Sequence, residues 1–217
     1  MPAIFTPSAN LAAAVTLLAI ATIGVGAVAW WWAWPRTDYA RHVRWPLVQP
    51  VPFSHEHHVA GLGLDCRFCH ASVEVSANAG LPPTSTCMTC HSQIWTNAAV
   101  LEPVRRSLAD NTPIAWKRVT DLPDYVYFNH SIHIAKGVGC SSCHGEIDRM
   151  PLTQKAKSLT MGFCIDCHRD PAPKLRPRDQ IYNTEWRRTA GTPSPEALMR
   201  AYHVGGRRLT DCSICHR

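Results

Sequence analysis

The sequence predicts a mostly irregular chain with short α-helices, plus one N-terminal transmembrane helix, and without a side-chain core of ordinary size. Three observations predict this. The motif Cys-x-x-Cys-His occurs five times in 217 residues, a 24-residue run from Leu11 to Trp34 carries no charge, and 17 prolines with 12 glycines break the remainder into loops.

The cysteine motifs decide the chemistry. They read Cys66-Arg-Phe-Cys69-His70, Cys87-Met-Thr-Cys90-His91, Cys140-Ser-Ser-Cys143-His144, Cys164-Ile-Asp-Cys167-His168 and Cys212-Ser-Ile-Cys215-His216, and they use all ten cysteines. In each, the two thiols can form thioether bonds to the vinyl groups of a haem while the histidine binds the iron from one side. A zinc ribbon also pairs Cys-x-x-Cys, and a disulfide framework also has an even count. Neither requires histidine directly after the second cysteine. The expectation is a multihaem cytochrome c wrapped round five covalently bound c-type haems.

Five haems shared among the roughly 180 residues outside the apolar run leave about 36 residues each, too few for a core of the usual size. The cofactors must therefore supply much of the buried apolar surface. The formal charge is +6. Each haem adds two propionates and, when ferric, a core charge of about +1, so the oxidised holoprotein comes to about +1 and the reduced one to about −4. The basic excess thus meets its own cofactors. With no long arginine run and no interleaved aromatics, no nucleic-acid partner is expected.

Residues 1–35 contain no charged side chain. At about 1.5 Å per residue, Leu11 to Trp34 reaches about 36 Å, enough to cross a bilayer. Trp30, Trp31, Trp32 and Trp34 before Pro35 read as an interfacial aromatic belt. Ala12, Ala13, Ala14, Gly24 and Gly26 offer a surface that another membrane helix can approach closely. The rival reading is a cleaved signal peptide with Ala27-Val28-Ala29 as its site, but the run is long and no basic segment precedes it. A retained anchor over residues 1–36 is expected. The positive-inside rule would put Arg36, Arg41 and Arg44 in the cytoplasm, whereas haem attachment of this kind takes place on the outer side of the energy-transducing membrane. The chemistry outweighs the charge count, so the expectation is a single-pass protein of the cell inner membrane with its haem domain on the periplasmic side.

Residues 37–52 read as a linker, with Trp45-Pro46, Pro50 and Pro52 holding it extended; His42 within it is expected at the surface or the membrane interface. The haem domain, 53–217, opens on a duplication. Phe53-Ser-His55-x-x-His58-Val-Ala-Gly and Phe128-Asn-His130-x-x-His133-Ile-Ala-Lys-Gly each precede two haem motifs, giving two-haem units 53–91 and 128–168. Histidines three apart fall on one helical turn, so His55, His58, His130 and His133 are expected as the distal ligands of four haems. His57 is expected to face away, and Phe53 and Phe128 to pack against porphyrin. A helix is expected around 98–109, stopped by Asn111-Thr-Pro.

The fifth haem, in 203–217, needs a further distal ligand. His203-Val-Gly-Gly before Cys212 echoes His58-Val-Ala-Gly before Cys66, and makes the tail resemble a truncated third unit. Met161, in LTMGFCIDCH, competes with it, since a thioether opposite histidine raises the reduction potential; Met150 stands behind both.

With these residues laid out, the chain resembles the pentahaem cytochrome c subunit of alternative complex III, a quinol-oxidising respiratory and photosynthetic membrane complex. The likeness covers nearly the whole chain: the anchor, FSHEHHVAGLGLDCRFCH, PPTSTCMTCH, FNHSIHIAKGVGCSSCH, LTMGFCIDCHRDP and LTDCSICHR. The paired Phe-x-His-x-x-His elements are also similar to those of small tetrahaem class III cytochromes c. The resemblance implies an electron-transfer subunit, not itself catalytic, beside multi-span quinol-binding membrane subunits. It implies electron delivery from an iron–sulfur, molybdopterin-like subunit and acceptance by a soluble cytochrome c, a copper protein or an oxidase. It also tips the fifth distal ligand towards Met161.

Six-coordinate irons leave no open position for substrate, so only single electrons should pass. A nitrite-reducing enzyme needs an open haem, often signalled by Lys replacing the motif His, and all five motifs here end in His. A redox sensor normally carries a signalling module, for which these residues hold no candidate. The alternative is a stand-alone membrane-anchored multihaem quinol dehydrogenase, with Arg36 to Arg44 available to line a quinol pocket.

Overall fold

The computed structural model describes residues 6–205 and 209–216. The first five residues of the expected anchor, Gly206 in the tail's echo and Arg217 lie outside the described residues. Through-space contacts divide the chain between Val43 and Arg44, inside the expected linker.

The first unit is dominated by α1 (Pro7–Ala33), started by Thr6, whose side chain accepts from the Ala9 amide at 3.3 Å, and by Pro7 in the first turn. None of its residues is buried. A helix of this length rises about 40 Å, and with its flanking turn it is long and apolar enough to cross a membrane. Length and composition fit an anchor or a signal sequence alike. At its end Trp30 stacks on Trp34 with ring centroids 5.7 Å apart, Tyr39 tilts against Trp34, and the Arg36 guanidinium lies over Trp32 and donates to its carbonyl.

The second unit contains no strand among the described residues, only isolated bridges such as Pro46 with Gln154 and Val138 with Leu175. Its helices are short: α2 (Cys66–Cys69), α3 (Thr84–His91), α4 (Glu102–Ala109), α5 (His130–Ala135), α6 (Ser141–His144), α7 (Met161–Arg169), α8 (Pro195–Ala201) and α9 (Cys212–Cys215). Residues 46–51 pack onto this body. Gln49 exchanges hydrogen bonds with the Lys117 backbone at 2.8 and 2.9 Å, and Val51 is buried against Leu101 and Val104.

Among the described residues that small cluster is the one place with a conventional core. Val104 and Ser107 are buried on α4, and Cys87 and Met88 of α3, Ile114 and Trp116 close round Val51, Leu101 and Val104. The helix expected around 98–109 begins as a tight turn over Ala99–Leu101 and becomes α-helical at Glu102, where Pro103 suits the first turn. Asn111 takes a left-handed φ of 48° after it. Elsewhere the buried apolar side chains are scattered, and Leu175 is the largest fully buried one.

Candidate functional site

Each cysteine motif sits on its own short helix, and the reason is local. A Cys-x-x-Cys-His spacing of i, i+3, i+4 puts both sulfurs and the imidazole on one helical face. Capping side chains start the turns: Asp65 accepts from the Arg67 amide at 2.8 Å before α2, and Thr160 from the Phe163 amide at 3.2 Å before α7.

The two Phe-x-His-x-x-His elements also begin at capping residues, Ser54 and Asn129, and then differ. The second is the α-helical α5, while the first is a wider π-type turn, Glu56–Gly61, in which the Leu64 amide reaches back to the His58 carbonyl at 3.1 Å. Despite that difference the side chains superpose in role. Phe53 stacks on His58 (centroids 4.4 Å apart, planes 23° apart) and presents an edge to His55 (4.9 Å, 88°). Phe128 stacks on His133 (4.4 Å, 27°) and presents an edge to His130 (4.7 Å, 88°). Each phenylalanine therefore wedges two imidazoles apart and sets their planes, a contact the sequence did not suggest. His57 is exposed and stacks on Trp95 at 6.1 Å.

The imidazoles share one hydrogen-bonding pattern. Nδ1 of His58 donates to the Ser54 carbonyl (2.8 Å) and Nδ1 of His133 to the Asn129 carbonyl (2.7 Å), four residues back. Nδ1 of His70, His168, His216 and His130 donates to the carbonyls of Gly80, Leu209, Tyr125 and Ala77 at 2.8 to 3.0 Å, and that of His91 to Ile94 at 3.3 Å. His55 Nδ1 meets Thr153 Oγ1 at 3.1 Å. A carbonyl only accepts, so the Nδ1 facing one carries the proton and Nε2 is left with its lone pair, the arrangement found behind metal-bound histidine.

These histidines meet in twos. Ring centroids are 6.2 Å apart for His58 and His91, 6.5 Å for His130 and His144, and 6.1 Å for His133 and His168. Two imidazole nitrogens each about 2 Å from one metal bring their ring centroids to about 6 Å. The donor set and spacing thus fit an iron held from both sides. Among the described residues no three Cys, His, Asp or Glu side chains converge as a protein-only metal site would need.

Charge favours ligation as well. Burial, followed by His70, His58 and His144 in that order, brings His55 down to about 4, with Asp148 opposing. Burial, then His130 and His70, brings His144 to about 4, and burial lowers His133. A group depressed in this way is neutral at physiological pH, as an imidazole must be to donate its lone pair to a metal.

The motif cysteines lie in a spatial order different from their order in the chain. Burial raises Cys66, Cys69, Cys87, Cys140, Cys143, Cys164 and Cys167, and the next contributor identifies a neighbour for four of them: Cys87 for Cys69, Cys66 for Cys140, Cys167 and then Cys164 for Cys143, and Cys215 for Cys164. The series therefore runs from Cys87/Cys90 to Cys66/Cys69, Cys140/Cys143, Cys164/Cys167 and Cys212/Cys215. His55 lies between the second and third positions, influenced by both His70 and His144.

For the fifth motif, His216 sits against Tyr125 and forms a bridge with Val126. Met161, 63% exposed, opens α7 one turn before Cys164, the cysteine beside Cys215. His203 has a left-handed φ of 51° and a carbonyl that accepts from Lys136 Nζ, and among the described residues no ring contact joins it to His216. Met150 is 7% exposed and its carbonyl accepts from the Glu56 amide, which puts it beside the first paired element. Asp148, also 7% exposed, has an Oδ1 without a hydrogen-bond partner beside that element. Nothing in the sequence marked Thr153, Asp148 or the acceptor carbonyls of Ala77, Tyr125 and Leu209, because each comes from a loop distant along the chain.

Residues 126–217 match the family model described as cytochrome c7 and related cytochrome c. The chain is also similar to the menaquinone reductase multihaem cytochrome c subunit of Nitratidesulfovibrio vulgaris, 33% identical over 143 residues, which are 65% of this chain and 59% of that protein. It spans about three fifths of the length of that curated relative. Both likenesses are to cytochromes with covalent c-type haem.

Proposed function

We propose that the chain is a membrane-anchored pentahaem cytochrome c, the electron-transfer subunit of a quinol-linked membrane complex of the alternative complex III kind. Three imidazole pairs at the spacing of a shared iron carry this reading. Covalent haem supplies the one-electron iron couple.

The residues do the rest. Each Cys-x-x-Cys-His helix would attach one haem through its two thiols and offer its histidine to the iron. His58 serves the haem of His91, His130 that of His144 and His133 that of His168. His55 would serve that of His70, the other motif of its own two-haem unit. Met161 serves that of His216, since its helix lies beside Cys215. Backbone carbonyls hold every Nδ1 proton away from iron except at His55 and His144, and Phe53 and Phe128 keep the distal rings from turning. With a histidine or methionine of the chain offered from either side, a haem held there would have no position open to substrate and would pass electrons only. The order of the cysteine pairs supports a single path, with the Cys87/Cys90 and Cys212/Cys215 sites at its ends.

The long apolar helix serves as the anchor, placing the haem body on the periplasmic side. Its partners are then multi-span quinol-binding subunits and an iron–sulfur, molybdopterin-like subunit, with a soluble cytochrome c, a copper protein or an oxidase at the far end. The name of the relative favours a second direction of flow. In a menaquinone reductase, electrons enter from the carrier and leave to quinone, and the same chain of sites would serve.

Purification from membranes tests the proposal. Five haems per chain, all low-spin, co-isolated with multi-span and iron–sulfur subunits, support it; quinol oxidation by the isolated chain supports the stand-alone dehydrogenase instead. Reduction of the complex by quinol, as against reduction by a prereduced carrier, distinguishes the two directions.

A further inference from the structure

Arg176 is a buried cation with no ion-pair partner among the described side chains. Its side chain is 6% exposed, and among the described residues no carboxylate lies within ion-pair distance of it. Nη1 donates to the Asn183 carbonyl at 2.9 Å and Nη2 to Ser141 Oγ at 3.1 Å, while Nε has no partner. The guanidinium lies over the Trp186 ring at 5.1 Å, and Arg188 lies over the same ring at 5.4 Å. A guanidinium stays protonated, so the charge persists in the interior.

Its neighbour is the third attachment motif. A Cβ on Gly139 would fall 2.1 Å from the Arg176 Cζ, so Gly139 is needed for the guanidinium to lie against the residues leading into Cys140. The Arg176 amide donates to the Gly137 carbonyl at 2.9 Å, and the Cys140 amide to the Ile181 carbonyl at 3.2 Å, which closes the loop round the charge. Burial pulls Arg176 below its ordinary value.

We propose that Arg176 is a positioning residue that raises the reduction potential of the haem carried by Cys140 and Cys143, the central position of the series. This rests on the haem reading above. One-electron reduction of that iron by a neighbouring haem adds one negative charge and moves no proton, and a fixed cation beside the motif stabilises the reduced form. The middle of the chain thereby becomes an electron sink rather than a step of unaided potential.

The test is a potentiometric titration of the purified complex followed by optical and EPR spectra. The site is identified by its nearly parallel imidazoles, His130 and His144, 9° apart. Arg176→Gln should lower one potential by about tenfold in its reduction equilibrium, about 59 mV for one electron. Arg176→Lys, which keeps the charge and loses the fork, should stay near the parent value. Ser141→Asp sets a carboxylate on the atom Arg176 already meets and should lower the same potential with the guanidinium in place. If Arg176→Gln fails to assemble, Ser141→Asp decides. Unshifted potentials in an assembled Arg176→Gln protein, or in Ser141→Asp, overturn the proposal and leave Arg176 as a fastening of the loop only. Fewer than five haems in the parent protein would instead sink the haem reading.

Discussion

The ring planes of His130 and His144 are nearly parallel, 9° apart with centroids 6.5 Å apart, whereas those of His58 and His91 cross at 67°. Phe128 holds His130 edge-on, and Phe53 stacks on His58. The equivalent ring of the second copy, His133, meets His168 at 30°, so the two copies of one sequence element present equivalent imidazoles at different mutual angles.

Axial geometry of this kind is read directly by low-temperature EPR. His130→Ala and, separately, His58→Ala should each turn one haem in five high-spin, the first removing a rhombic low-spin signal and the second a strongly anisotropic one. Persistence of all low-spin signals in both variants rules out the pairing.

Met161→Leu should abolish the methionine–iron charge-transfer band and lower one midpoint potential, while His203→Leu should leave both as they are. The opposite outcome would make His203 the fifth distal ligand.

Phe53→Ala and Phe128→Ala remove half-buried rings that orient two imidazoles each. A loss of about 1–3 kcal/mol is expected from the missing packing and ring contacts, measured by chemical denaturation, together with broadened EPR lines from the paired haems. Unchanged line widths would mean that the carbonyl bonds at Ser54 and Asn129 suffice.

Replacing Cys66 and Cys69 together by Ser should drop the haem content from five to four and cost more stability than a comparable surface double mutant. Buried apolar side chains are scattered outside the Val51, Leu101 and Val104 cluster, so the chain has little else to fold on. Electron transfer between the Cys87/Cys90 site and the rest should also stop, which flash-induced reduction kinetics can follow.

Deleting residues 1–43 should release the haem body from membranes with its low-spin spectrum intact, since contacts divide the chain after Val43. Intact mass of the mature protein separates anchor from signal sequence: loss of the N-terminal residues would make α1 a leader.

Much of the site was legible in the sequence because its chemistry is local. Cys-x-x-Cys-His needs only one helical turn to gather its three groups, and Phe-x-His-x-x-His is repeated closely enough to be seen by eye. The apolar run and its tryptophans are local in the same sense, and the absence of strands among the described residues agrees with a loop-rich composition.

What only the tertiary structure decided is which histidine meets which. Residue spacing would have joined neighbours in the chain, yet His133 reaches past the third motif to His168, and Cys66 lies beside Cys140 rather than only beside its own unit. The first paired element is a π-type turn where the sequence read a helix, and Thr153 and Met150 hydrogen-bond to it from across the chain. The buried charge of Arg176 was invisible for the same reason. Motifs determine what each turn can bind, whereas pairing and charge placement depend on long-range packing, whose energy is spread over residues that carry no motif.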